Sequence, residues 1–209
     1  MLIDNIYAFY ALVILMAYLL GSIPCGLVLG KLMGAGDIRK IGSGNIGATN
    51  ALRTGNKKLA IFTLLGDVLK GSLAVWIAFV LNMELADGVF IYAPVIAGIV
   101  SVLGHIFPVW LKFKGGKGVA TTIGVILILN WMVGLGFLVT WLVTARLSRY
   151  SSLGAIIAAL HAPLYAAAYG NHGLVLPFAI MALILIITHR GNIKRLLRGE
   201  ESVIQLKKA

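Results

Sequence analysis

Long apolar stretches separated by short polar segments dominate the pattern along this chain. The first stretch, residues 7–30, contains no Asp, Glu, Lys or Arg, is long enough to cross a bilayer, and should be kinked at Pro24. Asp4 stands where a signal peptide would carry positive charge, so we predict an uncleaved helix. Because Lys31 follows at once, the positive-inside rule predicts that the N-terminus lies outside.

Two further spans are predicted before residue 112. Residues 59–81 form the second span, which carries two ionisable side chains, and residues 89–111 form the third. Polar segments rich in glycine and basic residues follow the first and third spans, at 31–58 and 112–118. Both segments should therefore lie on the inner side of the membrane.

The run over residues 118–145 carries no formal charge and fits either one long span or two short ones. Two crossings that turn near Asn130 place 17 of the 18 basic residues inside and none outside, whereas one crossing would place nine inside and eight outside. The positive-inside rule therefore favours two. The first of them, residues 119–129, would rise only about 16 Å, so the preceding loop should reach membrane depth and form the floor of a cavity.

The last part of the chain predicts two more spans and a surface helix. Residues 150–189 contain no Asp, Glu, Lys or Arg, and the turn signal at 169–173 divides them. The basic, amphipathic tail from Arg190 should lie along the inner surface. The predicted fold class is an all-α polytopic membrane protein, a single domain over residues 1–209. It has seven transmembrane helices, some of them short, with the N-terminus outside and the C-terminus cytoplasmic.

Composition excludes several classes of protein. Hydrophobic residues make up 60% of the 209 residues and charged residues only 12%, which rules out a soluble domain, a disordered chain and a disulfide-rich secreted module. The single cysteine, Cys25, allows no intrachain disulfide and no cysteine metal cluster. The formal charge of +11 is explained by basic residues that set the orientation of the chain in the membrane. It is also compatible with small anionic substrates, whereas nucleic acid is not an expected partner.

The first cluster of candidate chemistry is residues 42–50, followed by Arg53. It matches G-x-G-x-x-G, but no strand or soluble βαβ unit surrounds it, so it does not predict a dinucleotide site. Glycines let backbone N–H groups approach an anion, and Arg53 adds a bidentate donor for phosphate or carboxylate. The alternative is a flexible loop that caps a helix. The neutral donors of the cluster are Ser43, Asn45, Thr49 and Asn50.

The second cluster, residues 112–122, places a glycine turn and Lys117 before a helix N-terminus, an arrangement that suits anions. A glycine occupies the Ser/Thr position of a Walker A loop, so nucleotide hydrolysis is not predicted. Binding of anionic lipid headgroups is the alternative, and it is preferred for Lys112 and Lys114. Phosphate binding is preferred for the glycines Gly115, Gly116 and Gly118.

A few candidate polar side chains lie outside these two clusters. His189 and Asn192 are three residues apart and share a helix face, but for this cluster taken alone a polar helix end with basic anchors is the preferred interpretation. Ionisable groups within a membrane are costly and usually paired, which predicts an Asp67–Lys70 ion pair or a contact from Asp67 to the first cluster's arginine. His105, near the inner end of the third span, either lines the cavity or packs in the core.

Common catalytic signatures are missing from the sequence. It contains no H-x-x-x-x-D acyltransferase signature, no G-x-S-x-G nucleophile elbow and no H-E-x-x-H metal motif. A site rich in phosphate donors and poor in nucleophiles favours direct transfer between two phosphate-bearing substrates.

Taken in order, these segments resemble those of the bacterial acyl-phosphate:glycerol-3-phosphate acyltransferases, the PlsY family. The matching segments are GSGNIGATN at 42–50, GHxxP at 104–108, FKGGKGVAT at 113–121, HxxN at 189–192 and RLLxGxE at 195–201. Together they cover almost the whole chain. One departure is Gly191, where such proteins commonly carry an acidic residue.

The resemblance implies seven spans and transfer of a fatty acyl group from acyl phosphate to the 1-position of sn-glycerol 3-phosphate. The products would be lysophosphatidate and inorganic phosphate, in phospholipid synthesis, without acyl-CoA, a cofactor or a metal. The resemblance implies catalytic roles for Ser43, Asn45, Arg53, Lys117, His189 and Asn192. It implies substrate phosphate binding by Gly44, Thr49, Asn50, Gly115, Gly116 and Gly118. Supporting roles fall to Asp67, Lys70, His105 and Glu201.

The expected partners are acyl phosphate, sn-glycerol 3-phosphate and membrane lipids, with a monomeric chain in the bacterial inner membrane and the active site facing the cytoplasm. Because an acyl phosphate is already activated, positioning and charge neutralisation suffice for direct attack by the glycerol 1-hydroxyl. The base is either His189 or a substrate phosphate, and Ser43 is either a ligand or a nucleophile. The alternative function is a small transporter or flippase for an organic phosphate or anionic lipid.

Overall fold

The computed structural model describes residues 5–204, which form ten α-helices and no strand. The helices are α1 (Ile6–Gly21), α2 (Cys25–Leu32), α3 (Ala48–Leu52), α4 (Lys57–Ala86), α5 (Ala93–Ile106), α6 (Val119–Leu129), α7 (Trp131–Ser148), α8 (Ser151–Ala168), α9 (His172–Thr188) and α10 (Arg190–Leu197). The predicted all-helical class is confirmed for this part of the chain. Asp4, Lys207 and Lys208, which entered the orientation argument, lie outside the described residues.

The first apolar stretch breaks where its proline predicted. α1 ends at Gly21 and α2 begins at Cys25, with a 40° bend between them. Pro24 has no N–H to donate to the preceding turn and its ring crowds the carbonyl there, which favours a kink or break at this position. Its carbonyl accepts hydrogen bonds from the N–H groups of Leu27 and Val28 at 3.0 and 3.1 Å, which starts α2 directly behind the break.

The middle helices differ from prediction mainly at their ends. α6 has the predicted bounds, and Asn130 caps α7 by accepting a hydrogen bond from the Val133 N–H at 3.0 Å. α4 is longer than predicted because Asn56 caps it two residues early and it runs on to Ala86. α5 is shorter than the predicted third span because Pro108 disfavours helical backbone before it.

Length and apolar composition identify the helices that could cross a membrane. Four qualify within residues 5–204: α4, α5 with its following 3-10 turn, α7 and α8. The number rises to six if the bent pairs α1–α2 and α9–α10 each count as one span, the second pair being bent by 62°. α6, at 11 residues, is shorter. An integral membrane fold is thus supported, while seven spans and the orientation of the termini stay predictions.

The chain divides into two compact units, Met1–Leu129 and Asn130–Ala209. In the first unit α4 packs against α1, α5 and α6. Small residues let these backbones approach: a Cβ at Gly71 would meet the Thr121 backbone, and the Ser72 hydroxyl donates to the Gly124 carbonyl at 3.0 Å. The core between α1, α4 and α5 consists of Phe9, Val13, Ala17, Ala74, Ala78, Ala86, Phe90, Ala93 and Ala97.

In the second unit α8 packs between α7 and α9. The buried face of α8 consists of small side chains: Ala155, Ala158, Ala159, Ala162 and Ala166. Tyr165 and Thr140 share a hydrogen bond at 2.7 Å, and the Trp141 indole N–H donates to the Ser151 carbonyl at 3.2 Å. The prediction that residues 1–209 form one domain stays a prediction.

Candidate active site

Asn50 organises the first glycine loop, residues 41–47. Both protons of its amide are donated to carbonyls, one to Ile38 just before the loop and one to Asn45 within it, at 2.7 Å each. Its amide oxygen accepts from the Ser43 N–H at 2.9 Å and from the Ser43 hydroxyl at 3.3 Å. Because Asn50 is buried and has no donor left, its geometry argues against the predicted phosphate contact and for a role in holding the loop.

Arg53 lies over the start of the same loop. A Cβ at Gly42 would come within 2.6 Å of the Arg53 Cδ and 3.2 Å of its Nη1, and Gly42 has a left-handed φ of 59° that suits only glycine well. Ser43 is exposed beside it. Arg53 therefore lies against the residue that precedes an exposed hydroxyl, an arrangement that suits phosphate binding, and the phosphate site stays a prediction.

The other predicted residues of the first loop stabilise its turns or remain at its surface. The Asn45 side chain accepts from the Gly47 N–H at 3.0 Å, which fixes the entry to α3. Gly44 has a left-handed φ of 70° and, like Thr49, is exposed. These two residues have the exposure that a phosphate ligand requires.

Glycines of α2 bring the first glycine loop against the helices. A Cβ at Gly26 would meet the Ile46 carbonyl, and one at Gly30 would come within 2.8 Å of the Gly36 carbonyl. Four residues apart, both glycines lie on one face of α2. The backbone of the loop at Ile46, and that of the preceding segment at Gly36, can therefore approach α2 more closely than any side chain would permit.

The second glycine loop, residues 112–118, folds back on the end of α5. The Gly115 N–H donates to the Ile106 carbonyl and the Gly116 N–H donates to the His105 carbonyl, both at 3.0 Å. These two amides are therefore engaged and do not supply the phosphate donors that the sequence predicted for them. Their missing side chains serve close approach instead, since a Cβ at Gly116 would overlap the imidazole of His105. Lys117 follows at once and is half-buried at the start of α6.

A buried polar network lies behind the second glycine loop. Lys70 Nζ is 2.9 Å from Oδ1 of Asp67 and donates to the Ile23 carbonyl at 2.7 Å. His105 Nδ1 lies 3.5 Å from the same Asp67 oxygen. All three side chains are at most 4% exposed. The predicted Asp67–Lys70 pair is confirmed, and Lys70 also satisfies a carbonyl at the break beside Pro24, as irregular backbone at membrane depth requires.

In the second unit, His189 ends α9 and is buried. Its Nδ1 lies 2.7 Å from the Leu185 carbonyl. A carbonyl oxygen can only accept, so Nδ1 carries the proton and the neutral ring holds its lone pair on Nε2. A backbone contact within the helix thus sets which ring nitrogen of His189 is protonated, and its role as the base stays a prediction.

Glu201 joins three side chains in the second unit. Its Oε1 accepts from the Asn192 amide at 2.6 Å and from the Ser152 hydroxyl at 2.8 Å, and its Oε2 accepts from Arg195 Nε at 2.7 Å. Burial raises the pKa of the Glu201 carboxyl, but these hydrogen bonds lower it by more, so its pKa lies below the ordinary value. Glu201 thus ties α8 to α10, which matches its predicted supporting role.

The first unit holds the two glycine loops and the buried network of Asp67, Lys70 and His105, and the second unit holds the predicted residues His189, Asn192 and Glu201. Two participants were missed by the sequence reasoning: Ser152, which is 49 residues from Glu201, and the Ile23 carbonyl. Pro24 could have indicated a role for the Ile23 carbonyl, because a break in a helix leaves nearby carbonyls without their helical hydrogen-bond donors. Within residues 5–204 no group of three or more His, Cys, Asp or Glu side chains is arranged to hold a metal ion.

Comparisons with known proteins point to one family. A family model described as glycerol-3-phosphate acyltransferase matches residues 11–199. A glycerol-3-phosphate acyltransferase of Brucella canis is 52% identical over 194 residues, 93% of this chain and 92% of the relative. One of Sinorhizobium medicae is 55% identical over 187 residues, 90% and 88% of the two chains.

Two crystal structures agree with these relatives. Both are of PlsY, an integral membrane glycerol 3-phosphate acyltransferase that is 36% identical to this chain. The glycerol 3-phosphate form has a TM-score of 0.84 and covers 94% of this chain and 96% of its own. The lysophosphatidic acid form has a TM-score of 0.82 and covers 93% and 94%.

Fold, glycine loops and relatives together define an integral membrane acyltransferase. The chain belongs to the glycerol-3-phosphate acyltransferase family. The predicted resemblance and the predicted enzyme of phospholipid synthesis are therefore confirmed, and the transporter alternative is not supported.

Proposed function

We propose that this chain transfers a fatty acyl group from acyl phosphate to the 1-hydroxyl of sn-glycerol 3-phosphate and releases lysophosphatidate and inorganic phosphate. The observation that carries the proposal is the Arg53 side chain against Gly42, with the exposed Ser43 beside it, in a loop that Asn50 holds rigid. Relatives captured with glycerol 3-phosphate and with lysophosphatidic acid support substrate and product of this kind.

The reaction needs two phosphates neutralised and two reacting atoms aligned. Arg53 is suited to bind one phosphate bidentately, and Lys117 at the start of α6 supplies a point charge for the other. The glycerol 1-hydroxyl oxygen attacks the acyl carbon, the bond from that carbon to the phosphate oxygen breaks, and inorganic phosphate leaves. The hydroxyl proton passes to His189 Nε2 or to a substrate phosphate, whose second pKa near about 6 makes it a competent base.

Other residues keep supporting or binding roles in this proposal. The exposed Gly44 of the first glycine loop, the exposed Thr49 in α3, and Gly118 before α6 remain candidates for phosphate contact. Asn45 holds the turn at Gly47, and Asn192 holds the Glu201 carboxylate. Ser43 is a ligand of the substrate rather than a nucleophile. Asn50, Gly115 and Gly116 shape the loops instead of donating to phosphate.

The membrane arrangement is also part of the proposal. Seven crossings follow if α6 spans a locally thin or indented region and each bent pair counts once. The charge distribution then places the N-terminus outside and the C-terminus in the cytoplasm of a bacterium. The active site lies on the cytoplasmic side of the inner membrane. We further propose that the monomer is active without cofactor or metal.

Phosphate release from purified protein in detergent tests the donor. We expect release from palmitoyl phosphate that requires sn-glycerol 3-phosphate. With palmitoyl-CoA as donor the leaving group is free CoA, and we expect no release of its thiol. Acyl transfer with palmitoyl-CoA as the sole donor would contradict the acyl-phosphate assignment. An acyl group trapped covalently on Ser43 would contradict direct attack.

Arg53→Lys tests the phosphate assignment of the first loop. Losing a bidentate contact to a charged group should lower kcat/KM about 10- to 100-fold. Arg146→Lys, an exposed arginine in the last turn of α7, is the matched control and should change kcat/KM less than about twofold. Equal kinetics for the two variants would remove Arg53 from the site.

A further inference from the structure

The side chain of His105 contacts fixed groups on two sides. It lies at the end of α5, 3% exposed, with Nδ1 3.5 Å from Oδ1 of Asp67. On the opposite edge of the ring, Nε2 lies against the backbone of Gly116, where a Cβ would overlap it. The imidazole therefore fills the space between a buried carboxylate and the second glycine loop.

We propose that His105 is a positioning residue, which Asp67 and Lys70 hold in place and which sets where the second glycine loop presents Lys117. This inference rests on the proposed function, in which Lys117 binds a substrate phosphate. His105 itself does not touch the substrate in this arrangement.

The loop is fixed to α5 immediately before Lys117. The backbone of Gly116 is bonded to the His105 carbonyl, and that of Gly115 to the Ile106 carbonyl, at 3.0 Å each. The imidazole adds a third contact to the loop, which is the second to Gly116. Since Lys117 follows Gly116 directly, any shift of Gly116 displaces the lysine that follows it.

The anchor behind His105 extends into two other segments. Asp67 belongs to α4, and its partner Lys70 also bonds the Ile23 carbonyl between α1 and α2, at 2.7 Å. The ring of His105 therefore rests on a carboxylate that is itself held by a buried ion pair. A buried side chain with contacts on both edges has few alternative rotamers.

A positioning role and a merely structural role have different kinetic signatures. Lys117 would bind phosphate in the ground state and the transition state alike, so moving it should raise KM and leave kcat within about threefold. A residue that only stabilises the fold would lower the fraction of active enzyme, which reduces apparent kcat at unchanged KM.

The test combines His105→Asn with Gly116→Ala in the full-length protein. The asparagine amide can keep a contact near Nδ1 but leaves the space of Nε2 empty. Each single variant should raise KM for one of the two substrates about tenfold, the size of one hydrogen bond to a charged group. Gly116→Ala should add little in the His105→Asn background, because the atom that it would overlap is gone.

His161→Asn is the matched control. This histidine lies within α8 in the second unit, with Nδ1 2.8 Å from the Ile157 carbonyl, and has no part in the proposed site. Its KM and kcat should match the wild type. Additive effects of His105→Asn and Gly116→Ala, or a fall in kcat at unchanged KM, would overturn the positioning role.

Lys117→Met separates this inference from the proposed function. If Lys117→Met raises KM or abolishes activity while His105→Asn leaves both constants unchanged, only the positioning role fails. If Lys117→Met itself leaves both constants unchanged, the phosphate assignment of the second glycine loop fails and the positioning role fails with it.

Discussion

Replacing Lys70 by methionine should strongly destabilise the protein, because Lys70 belongs to a buried ion pair within α4. Lys70 and Asp67 are 4% and 3% exposed and 2.9 Å apart, so the substitution leaves a buried carboxylate without its cation. Removing one partner of a buried ion pair typically costs about 3–5 kcal/mol. The Ile23 carbonyl loses the lysine but still accepts from the Cys25 N–H at 3.0 Å, and so adds little to the cost.

This cost converts into a measurable shift. For a chain of this size, 1 kcal/mol corresponds to roughly 2–4 °C in Tm, so Lys70→Met should lower Tm by about 6–20 °C. Thermal unfolding of the purified protein in detergent, followed by tryptophan fluorescence, measures the shift. The chain contains four tryptophans, which makes the signal intrinsic.

Two further variants isolate the ion pair. Lys58→Met makes the same exchange at an exposed position of α4 and should change stability by no more than about 0.5 kcal/mol. Asp67→Asn combined with Lys70→Met removes both charges and should recover part of the lost Tm. The reasoning is refuted if Lys70→Met unfolds within about 2 °C of Lys58→Met.

Two other predictions follow from the packing and the charges. Because the pKa of Glu201 is lowered in the folded protein, its contribution to stability is complete above the ordinary glutamate pKa of about 4.3 and is lost as pH falls through the lowered pKa. The Tm difference between wild type and Glu201→Gln should therefore shrink on acidification below that value, and a constant difference would contradict it. Gly124→Ala places a methyl group on the Val68 carbonyl and should lower Tm. Gly173→Ala meets open space and should not lower it. Equal Tm values for the two variants would contradict the close packing of α4 against α6.

Local signals account for the features that the sequence predicted well. The break at Pro24, the bounds of α6 and the turn near Asn130 each depend on residues next to one another in the chain, where proline geometry and side-chain capping act directly. The Asp67–Lys70 pair was predictable for the same reason, because residues three apart meet on one helix face.

Contacts between distant segments account for what could not be predicted. Glycine runs indicated backbone donors for phosphate, yet the amides of Gly115 and Gly116 bond carbonyls of α5 that only the folded loop brings near. Asn50 looked like a surface donor because nothing in its neighbourhood shows that the Ile38 carbonyl, 12 residues away, takes one of its protons. The composition of a loop indicates which groups are present, but tertiary contacts decide which of them remain available.

The placement of Asp67 and Lys70 on one helix also has a consequence for how the protein enters the bilayer. An isolated aspartate or lysine at the centre of an inserting helix costs about 2.5–3.5 kcal/mol. Here the two opposite charges lie one turn apart within α4, so they can neutralise each other as soon as that turn forms. α4 can therefore be released into lipid during synthesis before α5 and α6 have been translated, without waiting for a partner helix to supply the counter-charge.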